Sequence, residues 1–208
     1  MSPRIVVVNY LMGNLGSIGN MLHRIGYASV VSSDAEEISR ADKLILPGVG
    51  HFDRGMEQLA ALGLIDVLAR KVLEDKTPVL GICLGMQLLG ARSEEGARRG
   101  LGWIDADFVR FRPADAEYEI KIPQMTWNYT KQRKPSRLMD AMLDRPRFYF
   151  VHAYHAVMKH PEDTLLTTHY GYEYTAAFER ENILGVQFHP EKSHKFGMLL
   201  LKNFVERY

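Results

Sequence analysis

The chain has 208 residues, 46% hydrophobic and 25% charged, with a formal net charge of +1, which suits one well-buried domain spanning residues 1–208 and gives no electrostatic footprint for nucleic acid. No apolar run approaches the ~20 residues of a membrane span, and no charged leader precedes the first apolar run. A single cysteine, Cys83, leaves no intramolecular disulfide and no multi-thiolate zinc site, so a cytoplasmic protein without membrane or nucleic-acid partners is expected.

Arg4 to Asn9 is a short apolar run rich in β-branched residues, the pattern of a strand buried on both faces of a parallel sheet. Asn14 can cap the helix that follows, whose apolar positions Leu15, Ile18, Leu22 and Ile25 recur at helical spacing before Gly26 ends it. The order then repeats. Ala28 to Ser32 reads as a strand, Asp34 to Ser39 as a short helix, Lys43 to Leu46 as a strand, and Pro47-Gly48-Val49-Gly50 as a glycine-rich turn. Helical periodicity runs from Arg54 to Asp75, Thr77 to Ile82 is another apolar strand, and Leu84 to Ala91 continues as a helix. These alternations predict an α/β fold with a doubly wound, mostly parallel central sheet and helices on both faces.

From Asp107 the texture changes to short alternating segments: Asp107 to Phe111, Phe148 to Val151, Leu165 to Thr168, Tyr174 to Phe178 and Ile183 to Phe188. They read as strands joined by turns, some antiparallel, so the C-terminal half adds antiparallel strands to the sheet. Lys131, Arg133, Lys134 and Arg137, interrupted by Pro135, read as a solvated surface loop. His194 to Tyr208 closes the chain as an amphipathic helix.

Gly81-Ile82-Cys83-Leu84-Gly85 has the form of a nucleophile elbow, with a strand before it and a helix after it. The glycines allow the close backbone approach that such a strained turn needs. Unpaired N–H groups at the start of the helix favour a thiolate, and the N–H of Leu84 can receive an oxyanion. The bland alternative is a small apolar core residue, as most lone cysteines are.

A thiol nucleophile needs a base. Gly185 to Phe188 is an apolar strand leading into His189-Pro190-Glu191-Lys192. His189 at the strand terminus can reach the cleft of Cys83, and Glu191 two residues on can orient its ring. Any one of the eight histidines could be a surface or satisfied core residue, but both Cys83 and His189 fall at strand ends, where ligands bind in open α/β sheets. No histidine pair has helical ligand spacing inside a helix, so no metal site is expected. The turn at Pro47 to Gly50 lacks the residues of a phosphate-binding loop; it can instead offer the N–H of Val49 to an oxyanion.

At these residues the chain resembles the class I, triad-type glutamine amidotransferases, and within them the glutaminase subunits of imidazole glycerol phosphate synthase. The resemblance covers nearly the whole sequence. It is carried by Gly13-Asn14-Leu15, Pro47 to Gly50 with Phe52 and Gly55-Met56, Pro78 to Leu89, Ser93 to Gly96, Gly100 to Trp103, Phe148 to His152 and Gln187 to Ser193. It implies the class I glutamine amidotransferase fold and a Cys83, His189, Glu191 triad that forms a glutamyl thioester. It also implies an oxyanion hole from Val49 and Leu84, and glutamine contacts from Gly50, Gln87 and Tyr154. No cofactor is implied. The partner it implies is a (β/α)8-barrel cyclase subunit, joined in a heterodimer. Ammonia passes through that barrel to make imidazole glycerol phosphate and an aminoimidazole carboxamide ribotide, and hydrolysis stays slow until the partner carries its ligand.

Three positions depart from the family pattern: Gln124 stands where histidine is usual, Thr126 where glycine is, and Ala153 where serine or threonine is. They leave open a paralogue that feeds ammonia to a related partner with a sugar acceptor in surface-polysaccharide synthesis. A non-catalytic binding module would be expected to lose the nucleophile or base. A free-standing thiol hydrolase fits poorly with the partner-type segment Lys121 to Asn128.

Overall fold

A computed structural model describes residues 2–208. The β-branched run forms strand β1 (Ile5–Val8), every residue of it buried. Helix α1 (Leu15–Arg24) starts at Asn14, whose side chain accepts from the Ser17 N–H at 3.4 Å. Strand β2 (Ser29–Ser32) precedes α2 (Ala35–Ser39), which Asp34 caps by accepting from Glu37 N–H at 2.9 Å. Then follow β3 (Lys43–Gly48), α3 (Phe52–Ala61), α4 (Leu64–Ala69), β4 (Val79–Cys83) and α5 (Leu84–Leu88).

The second half adds β5 (Arg92–Ser93), β6 (Ala106–Arg110), β7 (Gln124–Gln132), β8 (Arg147–His152), β9 (Tyr154–Met158), β10 (Thr164–His169), β11 (Glu173–Arg180), β12 (Ile183–Val186) and α6 (His194–Arg207). The main sheet runs β2-β1-β3-β4-β12-β11-β10-β7-β8. Its first five strands are parallel, and from β11 onward each neighbour is antiparallel. Strands β5, β6 and β9 form a side ribbon attached through β9 to β11.

Strand alternation divides the parallel strands between two cores. Ile5, Val7, Ile45, Leu80 and Ile82 face α1 and α6 with Ile18, Leu22, Leu200 and Phe204. Val6, Val8, Leu44, Leu46 and Val79 face α3, α4 and α5 with Leu59, Leu68, Leu84 and Leu88. This is the α/β/α layering expected of the alternating first half.

Four expectations are corrected. Pro47 and Gly48 belong to β3, paired with Ile82 and Cys83, so the turn begins at Val49. The helical stretch from Arg54 to Asp75 is broken at Gly63, whose φ of +65° suits a residue without Cβ. The helix after Cys83 ends at Leu88 rather than Ala91. Lys131 lies inside β7, so the basic segment is partly strand.

Candidate active site

The elbow forms because β4 must end directly at a helix start. Cys83 has φ +54° and ψ −110°, a strained backbone for a residue bearing a Cβ. The turn closes only with glycine beside it: a Cβ on Gly85 would lie 1.7 Å from the carbonyl oxygen of Leu46, and one on Gly81 would lie 2.8 Å from the backbone of Met86. The consequence is a thiol standing at the C-terminal ends of β3, β4 and β12, where Gly48 pairs with Cys83 and Val186 with Ile82.

His189 follows β12 and is held by its backbone. Its N–H donates to Tyr149 O at 2.9 Å, and its carbonyl accepts from Ser193 Oγ at 2.6 Å. Ser193 Oγ in turn accepts from Tyr149 N–H at 3.0 Å, so β8 and the His189 turn are locked together. Nδ1 of His189 and Oε1 of Glu191 are 2.7 Å apart, both side chains almost fully buried. Burial, the largest influence on the ring, favours its neutral form, but hydrogen bonding and charge from Cys83 and Glu191 outweigh it and raise its pKa.

Sγ of Cys83 reaches the carbonyl of Val151 and the Nε2 amide of Gln187, each at 3.8 Å. Hydrogen bonding and charge from Cys83 raise the proton affinity of the His189 ring, so the thiol and the imidazole are coupled. Small reorientation on substrate entry is the ordinary behaviour of such pairs.

A cleft of about 250 Å3 opens over the thiol. Val49, Gly50, Cys83, Leu84, Gln87, Tyr154 and His189 all line it, and Glu191 stands behind His189. The structure therefore brings together the residues that the sequence assigns to the triad, the oxyanion hole and the glutamine contacts. Gln87 is committed internally: its Nε2 donates to Gln187 Oε1 at 3.2 Å and to Tyr154 O at 3.4 Å.

Glu95, His152 and Lys192 also line the cleft and had no assigned role. Glu95 Oε2 accepts from Phe52 N–H at 2.8 Å, which fixes the carboxylate at the start of α3. An acid in the glycine-bounded segment Ser93 to Gly96 was the available signal, but nothing local ties that segment to the elbow. Among the described residues, no group of three or more His, Cys, Asp or Glu side chains could hold a metal ion.

The model of the family described as "Glutamine amidotransferase class-I" matches residues 6–207. The chain belongs to the class I glutamine amidotransferases. It is 51% identical over 203 residues to imidazole glycerol phosphate synthase subunit HisH 2 of Methanococcus maripaludis, covering 98% of this chain and 99% of the relative. It is 52% identical over 202 residues to the HisH 2 subunit of Pseudomonas aeruginosa, covering 97% and 98%. These identities over nearly full length place it among the HisH-type members of the family. A putative GMP synthase protein from Thermoplasma acidophilum shares the fold at TM-score 0.72 and 18% identity, covering 99% of this chain and 93% of that one. No helix of the described chain is long and apolar enough to cross a membrane.

Proposed function

We propose that this chain is the glutaminase subunit of a glutamine amidotransferase, acting as one domain over residues 1–208, with Cys83 as nucleophile, His189 as general acid and base, and Glu191 as the acid that orients His189. The observation that carries this reading is a strained elbow thiol sharing a cleft with an imidazole that is itself hydrogen-bonded to a buried carboxylate.

His189 takes the thiol proton, and Sγ attacks the side-chain carbonyl carbon of glutamine. The N–H groups of Val49 and Leu84 receive the oxyanion. His189 returns the proton to the leaving nitrogen, so ammonia departs and a glutamyl thioester remains. Water, deprotonated by His189, then releases glutamate and restores the thiol. Glu95 supplies a fixed negative charge for the α-ammonium of glutamine, while Gly50, Gln87 and Tyr154 shape the rest of the cleft.

Ammonia passes to a (β/α)8-barrel cyclase subunit in a heterodimer in the cytoplasm, for imidazole glycerol phosphate synthesis in the histidine pathway. The two HisH relatives support that assignment. A second reading, a paralogue serving a sugar acceptor, rests on Gln124, Thr126 and Ala153. The test of the common core is labelling by a glutamine-like diazoketone. Mass spectrometry should find the adduct on Cys83 and glutamine should protect it; an adduct elsewhere, or none, sinks the reading.

A further inference from the structure

His152 ends β8, buried, with Nδ1 2.7 Å from the carbonyl oxygen of Tyr154. A carbonyl only accepts, so Nδ1 carries a hydrogen. Burial pushes this ring down to about 3, so it is neutral at ordinary pH. Nε2 then has a lone pair and needs a donor. The hydroxyl of Tyr174 on β11 lies 3.1 Å away.

A phenol has one hydrogen. Given to Nε2, it leaves the Tyr174 oxygen as an acceptor, whose other neighbour is the side-chain amide of Gln124 at 2.6 Å. With Oε1 of Gln124 on the phenol, two acceptors compete for one hydrogen and Nε2 of Gln124 is buried without a partner among the described residues. Turning the amide over gives its NH2 group the phenol oxygen and completes a one-way chain of donors from Gln124 through Tyr174 and His152 to Tyr154. The oxygen left over is a carbonyl, the cheaper group to leave unpaired. Gln124 and His152 are cross-strand partners on β7 and β8. The ring of Phe111 packs at 5.3 Å from His152 and 5.2 Å from Tyr174, which restricts both rings.

We propose that Tyr174 is a positioning residue for glutamine binding: with Gln124 as donor to its oxygen, it locks His152 in the tautomer protonated on Nδ1, and this tautomer pins the Tyr154 carbonyl in the wall of the cleft. The inference rests on the glutaminase reading above. The Tyr154 carbonyl also accepts from Gln87, whose amide holds Gln187, whose own amide reaches Cys83 Sγ. Without the Nδ1 hydrogen, that wall loses its shortest tie.

The experiment compares the full wild-type chain with Tyr174→Phe and Gln124→His by nitrogen NMR of labelled histidine at pH 7, with the His152 signal assigned by its loss in His152→Gln, and by steady-state ammonia release. The expected result is a pure Nδ1–H tautomer in the wild type and, in Tyr174→Phe, an Nε2 signal moved to that of a ring nitrogen with no hydrogen-bond donor. The glutamine KM of Tyr174→Phe should rise about tenfold while kcat stays within about threefold. Gln124→His, which keeps a donor, should retain the wild-type KM. A wild-type His152 protonated on Nε2 or on both nitrogens overturns the inference, whatever the variants do to folding. So does an unchanged KM in a folded Tyr174→Phe. A wild-type chain that neither releases ammonia nor takes the diazoketone label on Cys83 counts against the glutaminase reading, and the tautomer measurement then still decides this one.

Discussion

Nδ1 of His189 lies 2.7 Å from Oε1 of Glu191, while Oε2 of the same carboxylate is buried with no hydrogen-bond partner among the described residues. The carboxylate is thus devoted to the imidazole. Glu191→Gln keeps an acceptor for Nδ1–H but removes the charge that favours the protonated ring, and it buries an amide NH2 where there is no acceptor. The expected outcome is a kcat loss milder than that of Cys83→Ala by roughly one to two orders of magnitude. Equal losses in steady-state glutaminase assays would show that Glu191 does more than orient and stabilise.

Cys83 tests nucleophilicity and strain separately. Cys83→Ala should abolish glutamine hydrolysis and keep the fold, since a smaller side chain fits the same turn. Cys83→Gly should be equally inactive but more stable than Cys83→Ala by about 1 kcal/mol, because φ +54° is strained only for a residue with a Cβ. Urea unfolding of the two variants measures the difference. Equal midpoints would mean that the elbow holds no usable strain.

How much of this was legible in the sequence depends on how local the cause is. The elbow was legible because Gly81 and Gly85 are demanded by contacts with Met86 and Leu46 across the strand–turn–helix itself. Strand β7 was missed because its partners are β8 and β10, and because Trp127, Asn128 and Tyr129 do not alternate cleanly in burial. Glu95 was missed for the same kind of reason: only the tertiary bond to Phe52 N–H places its carboxylate at the cleft. Thr126 replaces a glycine without strain, since it sits in extended β7 opposite Phe150 and is not among the positive-φ residues.

Stability should fall on both sides of neutrality, for different histidines. Burial lowers His152 to about 3 and lowers His155 as well, so below the ordinary histidine value of about 6.5 the unfolded chain binds protons that the folded chain refuses. The stabilisation is complete above that value and is lost as pH falls toward about 3, at up to about 1.4 kcal/mol per pH unit from His152. His189, raised by Cys83 and Glu191, works in the opposite sense: its stabilisation is complete below the unfolded value and is lost as pH rises through its folded one. Urea titrations between pH 5 and 7 should show a slope that shrinks in His152→Gln. An unchanged slope would rule out the buried neutral ring.

The proposed oxyanion donors, Val49 and Leu84, would give a partner something to control. Val49 is half-exposed at the tip of the turn after β3, beside Gly50 with φ +115°, so its peptide can rotate without moving the sheet. One oxyanion donor is worth roughly 100- to 1000-fold in rate. The glutaminase kcat of the isolated chain should therefore rise by about that factor when a ligand-loaded barrel partner is added. Full activity in the isolated chain would mean that no such gate exists.

The acceptor is the remaining question, and Gln124, Thr126 and Ala153 bear on it unequally. Thr126 keeps the strand geometry, and Gln124 is wholly buried behind the cleft on Tyr174, so neither reshapes the surface directly. Their neighbour Met125 is strongly exposed on β7, opposite Val151, whose carbonyl meets the Cys83 thiol. A partner pressing on β7 thus acts one strand away from the nucleophile. Ala153 lines the cleft itself, where a serine or threonine hydroxyl would have offered glutamine a hydrogen bond. Co-adaptation with the proposed barrel partner would account for these changes without a new acceptor. Supplied with that barrel, the chain should restore growth to a strain lacking the histidine-pathway glutaminase, without histidine and on low ammonium, where free ammonia cannot bypass the enzyme. No growth, with both proteins soluble and the labelling of Cys83 intact, would move the chain to the sugar-directed class.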